Sequence, residues 1–395
     1  MHLALIRQRL STLGGAETTL LALTRELLQQ GHQVSILSLD AQPPAALTGL
    51  RGLNWHRVPV WPGKVGRVLG FAVNARRLVL AGRFDLVYSL ERTLAQDVYR
   101  AGDGCHREWL ARRRPYEAPL TRLHLALSPF HQTVLNLEKR LFTSPDLKLV
   151  IANARQVKEE VQRHYQVDPG KIRVIYNGVD HQRFRPQPGW GRQQPRRCGG
   201  QQLTPDIPLI LFVGSGFRRK GLHFLIKAIA ALHHRQARLV VVGPGRSGTY
   251  QRLAWQHGVA ARVAFLGPQP RVEQFYNRAQ VLALPTIYDP CANVVLEALA
   301  CGRPVVTTAA NGAAEFVSPG VNGAVLDRPD DPAALAAALD EFLDRANDPA
   351  VQQAAVDAVA DLSWPRAVSE TLASLKTLKS GQPTSSCRGQ RDLLY

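Results

Sequence analysis

Short apolar runs alternate with helical patterns along both halves of the chain. In the first half we predict strands at LALI (3–6), VSILSL (34–39), FDLVYS (84–89), LKLVIAN (147–153) and RVIYNGV (173–179). An amphipathic helix from Ala16 to about Gln30 ends at Gly31. In the second half the predicted strands are PLILFVG (208–214), RLVVVGPG (238–245), VAFLG (263–267) and VLALP (281–285). This alternation is typical of a parallel, doubly wound α/β sheet in each half.

The pattern breaks between the two halves, and this break sets the predicted domain limits. Residues 181–207 are rich in Gln, Arg, Pro and Gly and carry almost no hydrophobic pattern, so we interpret them as a linker with a mobile surface loop. A chain of 395 residues fits two domains. We therefore expect one domain at 1–180, a second at 208–362, a terminal helix at 363–380 and a disordered tail at 381–395.

Composition adds a strong positive charge. The net charge is +18, and residues 51–114 contain 13 Lys and Arg against 5 Asp and Glu. The run Arg112–Arg114, beside Trp109 and Tyr116, suits an anionic lipid headgroup or a phosphorylated glycolipid, although a solvated basic surface has the same pattern. No nucleic-acid-binding motif accompanies the charge, so we do not expect nucleic acid as a partner.

Targeting and cysteine patterns favour a cytoplasmic protein. No apolar run approaches the roughly 18–20 residues that span a bilayer, and the first residues lack the basic start and long apolar stretch of a signal peptide. The five cysteines are odd in number and widely scattered, which argues against a disulfide framework or a zinc cluster. We expect free thiols in a protein that is cytoplasmic and peripheral on the inner face of the membrane.

Two carboxylates frame the most informative segment, YDPCANVVLEALACGRPVVTT at 288–308. Asp289 and Glu297 lie on either side of a loop-to-helix boundary, and we predict that Pro290 occupies the first turn of the helix. Free N–H groups and the positive end of the helix dipole at such a boundary attract an anion. The carboxylates could accept hydrogen bonds from hydroxyls on the two sides of a bound phosphate. An acidic residue near a helix start is also typical of a simple cap.

Three further segments carry candidate chemistry. The turn VGSGFRRKG at 213–221 places a guanidinium beside an ammonium after a strand, which suits a diphosphate as well as a solvated basic turn. The pair Gly14–Gly15 follows the first strand and allows close approach of a ligand or tight packing. The segment DVYRAGDGCHREW at 97–109 is predicted to be a polar loop, with Asp103 and His106 as its candidate functional residues.

These segments together resemble the retaining glycosyltransferases of family 4, with Asp289 in place of the first glutamate of the E-x7-E signature. The resemblance covers most of the chain, in the right order and at the right distances. The segments 97–109 and 216–221 also resemble lipopolysaccharide core glucosyltransferases of the WaaG type. The resemblance implies the α/β GT-B fold, with two doubly wound Rossmann-like domains facing each other across a cleft. The acceptor would bind the N-terminal domain and the nucleotide sugar the C-terminal one.

The resemblance also implies how the donor is held. Asp289 would face the hydroxyls of the donor sugar, although its side chain is one methylene shorter than that of Glu. Glu297 would bind the nucleoside, and the backbone amides of Asn293 and Val294 would lie between the two carboxylates.

The remaining residues would act on the reacting groups. Arg219 and Lys220 would neutralise the leaving diphosphate, with Arg218 a weaker alternative. Gly14 and Gly15 would approach the donor phosphate from the other domain. In the loop of the first domain, Asp103 ranks above His106 as the polar residue that orients the reacting groups.

The mechanism implied is a front-side transfer that retains the anomeric configuration. The chain contains no Asp-x-Asp motif, so we expect neither a metal nor any cofactor beyond the nucleotide sugar as co-substrate. The leading interpretation is transfer of a hexose, glucose by resemblance, from a UDP-linked donor to a lipopolysaccharide core or related cell-envelope glycan. The alternatives are the same chemistry on a small soluble acceptor and a non-catalytic sugar-nucleotide-binding protein.

Overall fold

A computed structural model describes residues 1–10, 15–187, 197–198, 201–202, 207–345 and 347–380. The strands are β1 (His2–Ile6), β2 (Gln33–Ser38), β3 (Leu53–Arg57), β4 (Leu86–Ser89), β5 (Val98–Ala101), β6 (Leu149–Ala152), β7 (Ile172–Val174), β8 (Arg197–Cys198), β9 (Gln201–Gln202), β10 (Leu209–Val213), β11 (Arg238–Val242), β12 (Val263–Gly267), β13 (Val281–Leu284), β14 (Val305–Thr308) and β15 (Gly323–Leu326). The helices are α1 (Gly15–Gln29), α2 (Gly63–Ala81), α3 (His106–Arg113), α4 (Pro119–Leu127), α5 (Pro129–Phe142), α6 (Arg155–Tyr165), α7 (Leu222–Ala231), α8 (Gly248–Gln256), α9 (Glu273–Arg278), α10 (Asn293–Ala300), α11 (Pro332–Asp344), α12 (Pro349–Val359) and α13 (Trp364–Ser380).

The described residues form two compact units. Unit 1 comprises residues 1–153, 157–176 and the chain from 364 onward, and unit 2 comprises 154–156 and 177–363. Residues 181–187, which were predicted to belong to the linker, lie in unit 2, and most of the rest of that segment lies outside the described residues, as does the predicted tail 381–395. No helix among the described residues is long and apolar enough to cross a membrane.

Unit 1 is built on a parallel sheet in which the described strands follow the order β3-β2-β1-β4-β5-β6-β7. The order reverses between β1 and β4, which are paired directly from Leu3 with Leu86 to Ile6 with Ser89. In doubly wound sheets, ligands bind outside the carboxyl ends of the strands at such a reversal.

Helices α1 and α13 cover one face of this sheet. Leu20, Leu23 and Leu27 are fully buried along α1, at the spacing of one helix face. They share a hydrophobic core with residues of α13, among them Leu372 and Leu375. The terminal helix that the sequence predicts is therefore part of the core of unit 1.

Two regions of unit 1 differ from the sequence prediction. The segment 97–109 is not a continuous loop, because Val98–Ala101 is the buried strand β5 and α3 begins at His106. Strand β5 is buried on both faces, so its sequence shows no alternation of polar and apolar residues.

Helix α2 was missed because Gly63, Gly66 and Gly70 look like turn signals. A Cβ atom at Gly70 would lie 2.8 Å from the backbone nitrogen of Trp61, so the missing side chain serves close packing.

Unit 2 repeats the same architecture. Its described strands follow the order β12-β11-β10-β13-β14-β15 in a parallel sheet, and the order reverses between β10 and β13. All five residues of β10 and all four of β13 are buried, which explains their continuous apolar sequences. The doubly wound α/β class predicted for both halves is confirmed.

Candidate functional site

The predicted donor residues of unit 2 gather at the carboxyl ends of two neighbouring strands. The turn that carries Arg219 and Lys220 follows β10, and the loop that carries Asp289 follows β13. Because β10 and β13 are paired in the sheet, both segments leave it at the point where the strand order reverses. The sheet thus brings together residues that lie about 70 positions apart in the sequence.

Three charged side chains meet at this point. Lys220 Nζ and Arg219 Nη1 each donate to Asp289 Oδ2 over 3.0 Å, and Arg219 Nη1 also donates to the carbonyl of Tyr288 over 3.1 Å. Burial alone would raise the pKa of Asp289, but the charges of Lys220 and Arg219 outweigh it, and the pKa lies below its ordinary value. The cluster therefore holds two cations and one anion, a net positive charge.

Two glycines allow this arrangement. A Cβ atom at Gly214, where φ is +139°, would lie 2.6 Å from Lys220 Cε, so the lysine stem occupies the space that a side chain would fill. A Cβ atom at Gly221, where φ is +77°, would lie 1.8 Å from the carbonyl oxygen of Pro285. Gly214 and Gly221 are thus required by close approach, and they fix where Lys220 enters the cluster.

Helix α10 begins beside the charged cluster. Its first residue is Asn293, so Pro290 lies in the preceding loop, and the prediction that Pro290 occupies the first helical turn was wrong. The reason is local: Asp289 accepts a backbone hydrogen bond from Gly312 and donates one to Ala310, which keeps the chain extended past Pro290. The backbone amides of Asn293 and Val294 donate to no described residue, as expected at a helix N-terminus. The side chain of Asn293 accepts a hydrogen bond from Asn177 over 2.7 Å.

Glu297 lies one turn further along α10. The hydroxyl of Tyr276, which is fully buried, donates a hydrogen bond to Glu297 Oε2 over 2.8 Å. Burial raises the pKa of Glu297, although the tyrosine hydroxyl and nearby cations oppose the shift. Oε1 accepts no hydrogen bond from any described residue, and the side chain is half-buried, so one oxygen stays available to a hydroxyl.

Unit 1 has a cluster of its own that the sequence analysis missed. Glu91 Oε1 accepts from Arg7 Nη1 over 3.0 Å and from the amide of Gln8 over 3.1 Å, and Arg7 Nη1 lies 3.9 Å from Asp103 Oδ2. Burial raises the pKa of Glu91 to about 7, although the Arg7 guanidinium opposes it. The sequence shows that Arg7 follows the strand β1 and Glu91 the strand β4, but only the structure shows that these two strands are neighbours at the reversal.

Asp103 and His106 lie close in sequence but have different surroundings. The side chain of Asp103 is 59% exposed, whereas His106 Nε2 lies 3.0 Å from Nδ1 of His131. Burial and the charge of Arg92 lower the pKa of His106 to about 4, so the imidazole is neutral near pH 7.

Hydrogen bonds hold the segment between Asp103 and His106 in place. The fully buried Glu138 accepts hydrogen bonds from the amides of His106 and Arg107 and from Arg92 Nε, at 2.7, 3.1 and 2.8 Å. Arg92 in turn donates to the carbonyl of Gly104 over 2.7 Å. Glu138 therefore caps α3 and anchors the turn that presents Asp103.

One predicted feature, the glycine pair after β1, lies partly outside the described residues. Gly14 lies outside the described residues, and Gly15 is the first residue of α1. Among the described residues no group of three or more His, Cys, Asp or Glu side chains has the geometry to hold a metal ion. Cys105, Cys291 and Cys301 are buried and form no disulfide bond, in line with the prediction of thiols rather than disulfides.

Family models match both units. Residues 13–183 match "Glycosyltransferase Family 4", and residues 207–345 match "Glycosyl transferases group 1". The chain is 30% identical over 365 residues to D-inositol 3-phosphate glycosyltransferase of Xylanimonas cellulosilytica, a match that covers 84% of this chain and 83% of that protein. The chain belongs to glycosyltransferase family 4.

Other proteins to which this chain is similar agree with this placement. Lipopolysaccharide glucosyltransferase WaaG of Escherichia coli K12 is 28% identical over 249 residues, which are 62% of this chain and 64% of WaaG. A crystal structure of WaaG superimposes with a TM-score of 0.76 over 94% of this chain and 99% of that one, at 23% identity. Anabaena Alr3699/HepE, solved with UDP-glucose, matches with a TM-score of 0.67 at 21% identity over 95% of this chain and 100% of that one. These structures show that the fold is GT-B. The matched stretches span about half the length of most of the curated relatives.

Proposed function

We propose that this family-4 protein transfers a hexose, namely glucose, from a UDP-linked donor to a lipopolysaccharide core or related cell-envelope glycan, with retention of configuration. The observation that carries the proposal is the charged cluster of Arg219, Lys220 and Asp289 beside the open N-terminus of α10. Cations, free amides and a helix dipole then act on the same place, where a diphosphate is favoured.

The same cluster supplies a chemical role for each donor residue. Arg219 and Lys220 stabilise the negative charge that grows on the leaving diphosphate, and the amides of Asn293 and Val294 add dipoles that need no reorganisation. Glu297 accepts a hydrogen bond from a ribose hydroxyl through Oε1, while Tyr276 holds Oε2 in place. In this proposal the fixed positive groups do the work of a metal ion.

Asp289 has two tasks in the proposal. Its Oδ2 holds Arg219 and Lys220 in place, and its carboxylate faces the hydroxyls of the donor sugar when a donor is bound. Asp103 orients the reacting groups from unit 1, where its exposure leaves the carboxylate accessible. His106 is less suited to the role, because its Nε2 is engaged with His131.

The donor part of the proposal is tested by binding and transfer. Nucleotide sugars and their nucleoside diphosphates are screened by thermal shift, and the stabilising donor is then offered with core oligosaccharide acceptors. We expect UDP and UDP-glucose to raise the melting temperature of the wild-type protein and of Lys227→Met, which removes an exposed lysine of α7. Lys220→Met should abolish the shift. Equal shifts in both variants would show that the charged cluster is not part of the donor site.

A membrane-bound acceptor is favoured by an exposed apolar face in unit 1. Leu120, Leu123 and Leu127 of α4 have the spacing of one helix face and are 83%, 58% and 70% exposed. The basic run that the sequence analysis assigned to headgroups is partly engaged elsewhere, because Arg112 pairs with Glu108 and Arg113 with Glu117. We therefore assign membrane contact to the leucine face of α4.

Vesicle binding separates this assignment from an accidental apolar surface. We expect the protein to co-sediment with phosphatidylglycerol vesicles and the triple variant L120Q, L123Q, L127Q to lose most of that binding. The matched control replaces three other exposed apolar residues with Gln: Leu80, Trp255 and Val321, which are 50%, 75% and 50% exposed. An equal loss in both triple variants would contradict a specific role for α4.

A soluble phosphorylated acceptor is the second candidate, favoured by the match of 84% of the chain to a D-inositol 3-phosphate glycosyltransferase. Under this candidate, D-inositol 3-phosphate accepts the sugar and vesicles do not bind. A protein that binds the donor but transfers to no acceptor and does not hydrolyse the donor would instead be a non-catalytic binding protein.

A further inference from the structure

A cavity in unit 1 is lined in part by three arginines. It has a volume of about 580 Å³, and its lining includes Arg9, Arg57 and Arg67. This volume lies within the roughly 300–1,000 Å³ that is usual for small-molecule sites. The cavity lies at the carboxyl edge of the sheet, because Arg9 follows β1, Arg57 ends β3, and Leu39, another lining residue, follows β2.

The three arginines converge from separate elements. Arg67 comes from the second turn of α2, so the three arginines line the cavity from the loop after β1, the end of β3 and a helix. The side chains of these arginines form no ion pair or hydrogen bond with a described residue, and no described acidic residue lines the cavity. Elsewhere in unit 1 arginines such as Arg92 and Arg113 are paired with buried glutamates. Single unpaired arginines are ordinary on a surface, but three exposed arginines around one concave site raise the local positive potential and favour an anion there.

The remaining walls of the cavity suit a sugar. Leu39, Val58 and Pro59 contribute apolar surface beside the guanidinium groups. Guanidinium groups match phosphate oxygens with paired hydrogen bonds, and an apolar wall can pack against a sugar ring. Arg7 leaves the same strand two residues before Arg9 and pairs with Glu91 at the strand reversal, so the cavity adjoins the polar cluster of unit 1.

We propose that the cavity of Arg9, Arg57 and Arg67 binds a phosphomonoester group on the sugar acceptor. The inference rests on the proposed function, since it assigns the acceptor to unit 1 and makes it a phosphorylated glycan. It goes further by naming the anionic group and the residues that recognise it.

The experiment uses the full chain and a soluble probe. Glucose 6-phosphate and glucose are titrated by calorimetry into the wild-type protein and the triple variant R9Q, R57Q, R67Q. We expect glucose 6-phosphate to bind the wild type and glucose to bind at least tenfold more weakly. The triple variant should lose at least tenfold in affinity for glucose 6-phosphate, because three charge-assisted contacts are removed. Raising the salt concentration should weaken binding to the wild type.

A matched control separates the cavity from the general charge of the protein. The triple variant R51Q, R76Q, R83Q also removes three exposed arginines of unit 1, and Arg51 and Arg83 lie at the opposite, amino edge of the sheet. It should bind glucose 6-phosphate like the wild type. Equal losses in the two triple variants, or none in the first, would overturn the proposal. So would a first variant that loses only binding to phosphatidylglycerol vesicles, since the phosphate recognised would then belong to a lipid surface.

The donor site is measured separately, in unit 2, by the UDP thermal shift. A wild-type protein that binds UDP but not glucose 6-phosphate would refute the cavity assignment alone. One that binds glucose 6-phosphate but no nucleotide sugar would refute the proposed transfer while the cavity assignment stands.

Discussion

At the scale of single residues, Asp289 holds the charged cluster of unit 2 together. It is 5% exposed and accepts hydrogen bonds from two cations, one of which, Lys220, is itself 7% exposed. A buried charge that loses its partner keeps its desolvation cost, which is why breaking such a pair is expensive. The shorter Asp, in place of the Glu of the family signature, therefore already has a structural task before any sugar binds.

A double-mutant cycle measures how strongly Asp289 and Lys220 stabilise each other. Asp289→Asn and Lys220→Met should each lower the free energy of unfolding, by about 3–5 kcal/mol where the partner is left uncompensated. The double variant should lose clearly less than the sum of the two, with a coupling of about 1–3 kcal/mol. Urea denaturation gives all four values. Strict additivity would show that the two side chains do not interact in solution.

Glu91 gives a pH-dependent prediction. Its pKa is raised from the ordinary 4.5 to about 7, so the folded state binds a proton that the unfolded state has released between these values. The contribution of this group is therefore fully present below about pH 4.5 and is lost as the pH rises to about 7. Glu91→Gln cannot titrate, so its stability relative to the wild type should improve from pH 4.5 to pH 7.5. A difference between the two proteins that does not change with pH would contradict the raised pKa.

At the scale of elements, the apolar strands were predictable and the mixed ones were not. Strands β10 and β13 are continuous buried runs, and the sequence marks them clearly. Strand β5 has the sequence VYRA and buries Arg100, so its charge hid it within an expected loop. Helix α2 was hidden by glycines that serve packing against Trp61. In each missed case a tertiary contact outweighed the local signal.

The same distinction applies to the proposed donor site. The residues of the charged cluster were found from their order along the chain, because strand ends and glycine turns are visible in a sequence. The mutual pairing of Arg219, Lys220 and Asp289 could not be predicted from the sequence, because it depends on β10 lying beside β13. The Glu91 cluster escaped for the same reason.

Helix α13 provides an element-scale test in unit 1. Leu372 is 6% exposed and shares a core with α1, whereas Ser369 lies on the exposed face of the same helix. Leu372→Ala should lower the free energy of unfolding by about 2–5 kcal/mol through lost burial and the cavity left behind. Ser369→Ala should change it by less than about 0.5 kcal/mol. Chemical denaturation of both variants makes the comparison, and equal effects would place α13 outside the core.

At the scale of the whole molecule, the chain carries two sheets of the same kind with different chemistry at their reversal points. In unit 2 the reversal between β10 and β13 presents cations and a helix N-terminus, which suit a diphosphate. In unit 1 the reversal between β1 and β4 presents Arg7 and Glu91, with the arginine cavity on the same edge. The high net charge of +18 fits a protein whose proposed donor, acceptor and membrane surface are all anionic.

Donor turnover tests the central claim most directly. The rate of glucose transfer or hydrolysis from UDP-glucose is measured for the wild type, Lys220→Met, Glu297→Gln and the control Lys227→Met. The account predicts that Lys220→Met lowers kcat/KM at least about 100-fold, as for the loss of one group that stabilises transition-state charge. Glu297→Gln should weaken donor binding, and Lys227→Met should behave as the wild type. Undiminished turnover in Lys220→Met would contradict the account, because the charged cluster could then not be where the diphosphate leaves.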